Sequence, residues 1–229
     1  MIERGRRQSG FTLLELLVAL AIFGLVSAMA YGGLQAVLET RSRVQEEGER
    51  LGAIQLALNV MARDLTQAVD RPWRDSWGEP QPPLQYDRLA SPPRLTLVHA
   101  GGRVGEGRSR LRRVAYELED GVLHRLLWAR LDGGAEEPVV RGRLLGGEED
   151  GERVAELVYR FHYRDPGAAP GDEADGIGET DVWPPERGEG DERLLAVEVV
   201  ITLDNGGTIQ RIFPYQGGRS MTAAAPRED

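Results

Sequence analysis

The sequence predicts an α+β protein: one long N-terminal helix, transmembrane and then amphipathic, packed on a predominantly antiparallel β domain. Three observations lead there. A long apolar block followed by apolar residues at helical spacing runs from Phe11 to about Val69, and Pro72 stops the pattern. Behind it come seven strand candidates, among which Asp120-Gly121 and Asn205-Gly206 are hairpin turn signals that imply antiparallel pairing. A helix at one end of the chain with strands after it, rather than alternation of the two, is the α+β order.

The helix begins with its most apolar part. From Leu16 to Leu38 there are 23 residues without a charge, bounded by Glu15 and Glu39. At about 1.5 Å per residue they span roughly 34 Å, enough to cross a bilayer core. Arg4, Arg6 and Arg7 precede the block with Glu3 as the one acid, so the positive-inside tendency keeps this end cytoplasmic and sends the rest across. Hydropathy alone leaves a signal peptide cut at Ala28-Met29-Ala30, an uncleaved anchor, and, less well, a buried soluble helix.

Glu15 separates these. It lies within Phe11-Thr12-Leu13-Leu14-Glu15-Leu16-Leu17, where a carboxylate costs up to about 2.5–3.5 kcal/mol near the membrane centre and less near its edge. A signal peptide or plain anchor has no use for it, and an ionisable group in such a segment marks a function that supplies a partner. A cut between Gly10 and Phe11 would expose an amine with an ordinary pKa of about 7.7–8, mostly charged at neutral pH. An amine of that kind on a neighbouring, axially shifted helix is the partner that suits Glu15.

Gly10-Phe11-Thr12-Leu13-Leu14-Glu15 resembles the type IV prepilin signature: a short basic leader ending in glycine, a mature chain starting with phenylalanine, and glutamate at its fifth position. The resemblance implies that a prepilin peptidase cuts after Gly10 and methylates Phe11. It also implies that Glu15 guides helix-by-helix filament assembly.

Beyond the apolar block, Val44, Leu51, Ile54, Leu58, Met61 and Leu65 form a helical stripe at spacings of three, four and seven, with Arg50, Arg63 and Asp64 off it. The stripe covers barely three heptads and is expected to pack under the chain's own sheet. The proline-rich residues 72–93 read as an extended loop. The strands follow at Arg94–His99, Arg112–Leu118, Val122–Arg130, Val139–Leu145, Val154–Tyr163, Leu194–Asp204 and Thr208–Tyr215. The expected organisation is a leader at 1–10, a transmembrane helix at 11–38, its amphipathic continuation at 39–70, a periplasmic β domain at 71–215, and a disordered tail at 216–229.

Several stretches resemble the minor pseudopilin J family of the type II secretion system. They are Gln55–Leu65 with Gln67 and Arg71-Pro72, Arg108–Tyr116, Leu123–Trp128, Ala196–Val199 and Arg211–Phe213. There are two departures: the loop Gly101–Gly107 lacks the Trp and Asn-Pro associated with the family, and Leu194-Leu195 stands where proline is common. The resemblance implies a hetero-oligomer with minor pseudopilins I and K, and with H. Such a complex primes or caps the pseudopilus that drives folded proteins through the outer membrane. The place implied is the bacterial inner membrane, single-pass with a periplasmic C-terminal domain, and the pseudopilus tip after assembly. A type IV pilus or competence minor pilin is the nearer alternative, and an anchored periplasmic enzyme or binding protein the more distant one.

Composition and motifs speak against other classes. The formal charge of -9 argues against a nucleic-acid surface, and the lack of cysteine removes disulfides, thiolate metal sites and a thiol nucleophile. His99, His124 and His162 have no metal-ligand spacing, and there is no G-x-S-x-G, P-loop or G-x-G-x-x-G, so no catalytic or metal residue is assigned. The stretch Asp165–Arg193 holds ten acids, but its prolines, its glycines and the failed calcium-loop register of Asp172-x-x-Asp175-Gly176 make it a solvated loop. Calcium is known in some relatives of the superfamily, so calcium binding in this loop is kept as a hypothesis.

Overall fold

The computed structural model describes residues 12–101, 111–133, 137–147, 153–165, 176–185 and 192–216. Its longest element is helix α1, Leu13–Thr66. Leucine, alanine, arginine, glutamate and glutamine favour it throughout, and no proline interrupts it. Thr66 ends it: the hydroxyl turns back to the Ala62 carbonyl at 2.7 Å, and Val69 N–H leaves the helix for the Val98 carbonyl at 2.9 Å. The chain divides into two units, residues 1–49 and 50–229, so α1 contributes to both.

In the second unit the strands are β1 (Trp73–Arg74), β2 (Pro80–Gln81), β3 (Leu84–Asp87), β4 (Arg94–Ala100), β5 (Leu111–Glu119), β6 (Val122–Leu127), β7 (Val140–Leu145), β8 (Val154–Arg164), β9 (Ile177–Thr180), β10 (Arg193–Leu203) and β11 (Thr208–Pro214). They form an antiparallel five-stranded meander, β3-β4-β5-β6-β7, a four-stranded antiparallel sheet in the order β11-β10-β8-β9, and a small β1-β2 ribbon. Asp120 and Gly121 make the β5–β6 turn with φ of 52° and 79°, the double positive φ that an Asp-Gly pair supplies.

Three elements depart from the sequence expectation. Residues 72–93 are not all loop, because Leu84–Asp87 pairs with β4 as an edge strand and Pro83 offers its carbonyl to Val98 N–H at 2.9 Å. Ile177–Thr180, inside the acidic stretch, adds a short strand to β8. The strand expected to reach Arg130 stops at Leu127, where Trp128 N–H binds the Arg113 carbonyl at 3.1 Å. Short edge strands of this kind carry too few alternating residues to stand out in sequence.

The largest of three buried apolar clusters among the described residues joins the helix end to both sheets. Ala57, Met61 and Leu65 of α1 join Leu97, Val114 and Tyr116 of the first sheet and Phe161, Val197 and Ile201 of the second. The helical stripe is buried only from Ile54 onward, while Val44 and Leu51 stay exposed. Asp64 was expected off this stripe; it is fully buried on it. Its carboxylate accepts Tyr116 Oη at 2.6 Å and Arg125 Nε at 2.6 Å and Nη2 at 3.2 Å, with His99 Nδ1 at 3.7 Å. At three and seven residues beyond Met61 and Ala57, position 64 shares their face, and paired charges make its burial tolerable.

The far face of the five-stranded sheet carries a second device. The Arg113 guanidinium carbon sits 4.3 Å from the ring centre of Trp73 and 4.2 Å from that of Trp128, a cation held between two indoles. Burial lowers the Arg113 pKa to about 10, with Arg94 adding to the effect, so the group remains charged at neutral pH. The edge strand β3 is also tied sideways, since Tyr86 N–H donates to the Trp183 carbonyl at 2.8 Å.

Candidate functional site at the N-terminal helix

Gly10 and Phe11, the expected cleavage and methylation positions, lie outside the described residues. The described chain begins at Thr12, which caps α1. Its Oγ1 accepts the Glu15 backbone N–H at 3.3 Å, and its carbonyl accepts Leu16 N–H at 3.2 Å. Thr12-Leu13-Leu14-Glu15 is therefore the frame of a capping box, with a threonine at the N-cap and a glutamate three residues on. Glu15 stands exposed in the first helical turn, where the unpaired amides and the helix dipole favour an anion.

The next two dozen residues are apolar on every side. Leu13, Leu14, Leu17, Phe23, Leu25 and Met29 are all exposed, and none of the most apolar stretch is buried. A helix hydrophobic around its whole circumference and uncovered in its own chain needs lipid or neighbouring helices as its environment. The chemistry changes at Glu39. Arg43–Glu39, Ser42–Glu46 and Gln45–Glu49 pair at four-residue spacing, at 2.6, 2.9 and 2.9 Å, and hold this part of the helix in a solvated form.

The histidines of the β domain lie among charged neighbours. His99 is buried beside Asp64, and burial lowers its pKa, opposed by Asp64 and helped by Arg125. Burial also lowers the pKa of His124, with Arg141 adding to the shift. His162 Nε2 lies 3.1 Å from Glu198 Oε2, and Glu198 also takes Gln210 Nε2, with Arg160 at 3.6 Å. Burial would raise the Glu198 pKa, but these partners outweigh it and lower it. Of the acidic stretch 165–193, only Asp165, Glu179, Asp181 and Glu192 fall among the described residues, and no group of three metal-ligating side chains occurs among the described residues. Of the loop Gly101–Gly107, only Gly101 falls among the described residues.

The sequence missed the Asp64 network, the Arg113 stack and the Glu198 cluster. Asp64 carried a usable signal in its spacing from Ala57 and Met61; the other two join residues with no local pattern.

A capped N-terminal helix whose first two dozen residues are mostly apolar and unburied, leading into antiparallel sheets, has the make-up of a membrane-anchored subunit of the pilin type. Residues 5–31 match the description "Prokaryotic N-terminal methylation motif", and residues 32–215 match "Type II secretion system (T2SS), protein J". The chain belongs to the type II secretion system protein J family, the minor pseudopilins of that system. It is 31% identical over 225 residues to type II secretion system protein J of Klebsiella pneumoniae, covering 94% of this chain and 98% of that one. With the Escherichia coli protein J it shares 35% over 143 residues, 59% of this chain and 72% of the relative. Its fold is that of a chain in the GspK-GspI-GspJ complex of enterotoxigenic Escherichia coli, with a TM-score of 0.54 and 23% identity, covering 73% of this chain and 98% of that chain.

Proposed function

We propose that the protein is cut after Gly10, methylated at Phe11, and built into the pseudopilus tip through a salt bridge between Glu15 and a terminal amine. Before assembly, residues 11–38 hold it in the inner membrane with the β domain in the periplasm. Afterwards the same apolar surface packs against other helices. The single observation that carries this is the exposed apolar helix with Glu15 in its first turn, directly behind the basic leader. In either environment a lone carboxylate is costly and a cationic partner removes most of the cost.

The related Escherichia coli structure is a complex of GspK, GspI and GspJ. By analogy the partners here are minor pseudopilins I and K, joined by H, with the prepilin peptidase acting first. The role is one of assembly, and no side chain is assigned to catalysis. Calcium in the 165–193 stretch remains a separate proposal, removed by calorimetry on the full chain that shows neither calcium heat nor a shift in Tm.

The deciding experiment is the intact mass and N-terminal sequence of the protein from its native membrane. An N-methylated Phe11 start supports the proposal. A start at Tyr31 makes it an ordinary exported protein, and an intact Met1 makes it a plain anchor or a chain without its peptidase.

A further inference from the structure

Where α1 turns polar, most side chains find partners on the helix itself. Arg43 reaches Glu39 at 2.6 Å, Ser42 reaches Glu46 at 2.9 Å and Gln45 reaches Glu49 at 2.9 Å. Arg41 is exposed and, among the described residues, has no hydrogen-bond or ion-pair partner. Its register is the reason. Helical side chains lean toward the N-terminus, over the turn before their own Cα. For Arg43 that turn holds Glu39; for Arg41 it holds Val37 and Leu38, which are 64% and 50% exposed.

Helical rise places this unmatched cation. Arg41 stands three residues past Leu38, about 4.5 Å beyond the end of the apolar block. The polar layer on each side of a bilayer is about 5–7 Å deep, so Arg41 falls within it when the block spans the hydrocarbon. At this level an open groove of about 540 Å³ runs along the helix, lined by Ala36, Val37, Thr40, Arg41 and Val44. The Thr40 hydroxyl donates to the Ala36 carbonyl at 2.8 Å, which leaves the groove an apolar floor with one guanidinium on it.

A guanidinium in the headgroup layer takes a phosphodiester through two parallel hydrogen bonds, and apolar side chains beneath it take the start of an acyl chain. The net charge of the headgroup follows from the neighbours. One turn on from Arg41 come Val44 and Gln45, both uncharged, and the Glu39 carboxylate is held by Arg43. The ammonium of a zwitterionic headgroup therefore meets no free carboxylate here, whereas a net negative headgroup needs none. From this we infer that Arg41 binds an anionic phospholipid of the periplasmic leaflet, with the phosphate on its guanidinium and an acyl chain along Ala36 and Val37. The inference rests on the anchoring of residues 11–38 in the membrane, and is independent of leader cleavage and of the Glu15 salt bridge.

The test places the full-length protein in nanodiscs of phosphatidylcholine mixed with phosphatidylglycerol and counts, by native mass spectrometry, the lipids that stay bound on release. Phosphatidylglycerol is expected in excess of its share of the disc. Arg41→Gln should lower the ratio of bound phosphatidylglycerol to phosphatidylcholine about fivefold, the effect of one arginine at an anionic surface. Arg211→Gln, the same change of net charge on β11, should leave the ratio unaltered. The leader arginines are common to all three proteins, so the comparison isolates Arg41. Retention at the bulk share in the wild-type protein overturns the inference, as does an excess untouched by Arg41→Gln or lowered equally by Arg211→Gln. A chain that stays out of the discs overturns the anchoring as well, whereas an inserted chain without lipid preference removes the lipid site alone.

Discussion

Asp64 and Arg125, 61 residues apart, meet through two hydrogen bonds of 2.6 and 3.2 Å that tie the end of α1 to the centre of the five-stranded sheet. The carboxylate has no exposure, while the arginine side chain keeps 21%. Tyr116 Oη donates to the same carboxylate, so three donors from two strands converge on one helical side chain. The pair fixes which face of the helix docks, a constraint that apolar packing alone supplies less sharply.

Asp64→Ala is therefore expected to destabilise the domain strongly. Removing one partner leaves the Arg125 charge and the Tyr116 hydroxyl uncompensated, at a cost of about 3–5 kcal/mol for a fully buried pair and toward the lower end here because Arg125 reaches solvent. Asp64→Ala with Arg125→Leu should lose less than the two single changes added together. Denaturant unfolding of the four proteins of the cycle measures this; strict additivity would remove the coupling.

His99 gives the domain a pH dependence of stated sign. Its pKa in the folded chain lies below the ordinary 6.5, because burial and nearby arginines outweigh Asp64. As pH falls below 6.5 the unfolded chain takes up the proton first, so stability present above that pH declines toward the folded pKa. His99→Gln should flatten this part of the profile. The depressed Glu198 pKa acts lower, its contribution present above the ordinary carboxylate value of 4.5 and lost as pH falls through the folded one. Tm measured across both windows, in wild type and in the His99 variant, separates the two.

Arg113→Lys should fail to replace arginine between Trp73 and Trp128. A planar guanidinium presents both faces to the two rings, whereas an ammonium is compact and more strongly hydrated. With each desolvated cation–π contact worth about 0.5–2 kcal/mol, a loss of roughly 1–3 kcal/mol is expected, and more for Arg113→Ala. Thermal unfolding of the three proteins checks the order; equal stability of the lysine variant would mean that charge alone suffices.

At the N-terminus, Glu15→Ala should be processed normally yet support no secretion, because the terminal amine is left unpaired during assembly. Gly10→Val should retain its leader, since a branched side chain replaces the small residue at the cut. Immunoblots for leader removal, read beside exoprotein release, report the two steps separately. Wild-type secretion by Glu15→Ala would eliminate the salt bridge.

The long helix and the hairpins were legible because their signals are local. The spacing of Ile54, Leu58, Met61 and Leu65 states a period, and Asp120-Gly121 states a turn whose two positive φ angles the structure contains. Glu15 was legible as an anomaly, one charge in an apolar run. The burial of Asp64 could be read from its spacing, but its partners could not, because Tyr116 and Arg125 lie 52 and 61 residues away. Arg113 was hidden for the same reason: an arginine in a strand next to Arg112 looks solvated until Trp73 and Trp128 arrive from separate segments. Leu84–Asp87 was read as loop because four residues amid prolines carry too little alternation to declare a strand.

The clasp between Tyr86 and Trp183 bears on how this chain keeps company with others. A sheet margin with unspent backbone recruits any passing strand, whatever its sequence, and growth of that sort has no natural stopping point. At Tyr86 the margin is spoken for by the chain itself. Under the assembly proposed above, a margin closed at this point leaves more of the choice of neighbour to the apolar part of the helix and its one charge.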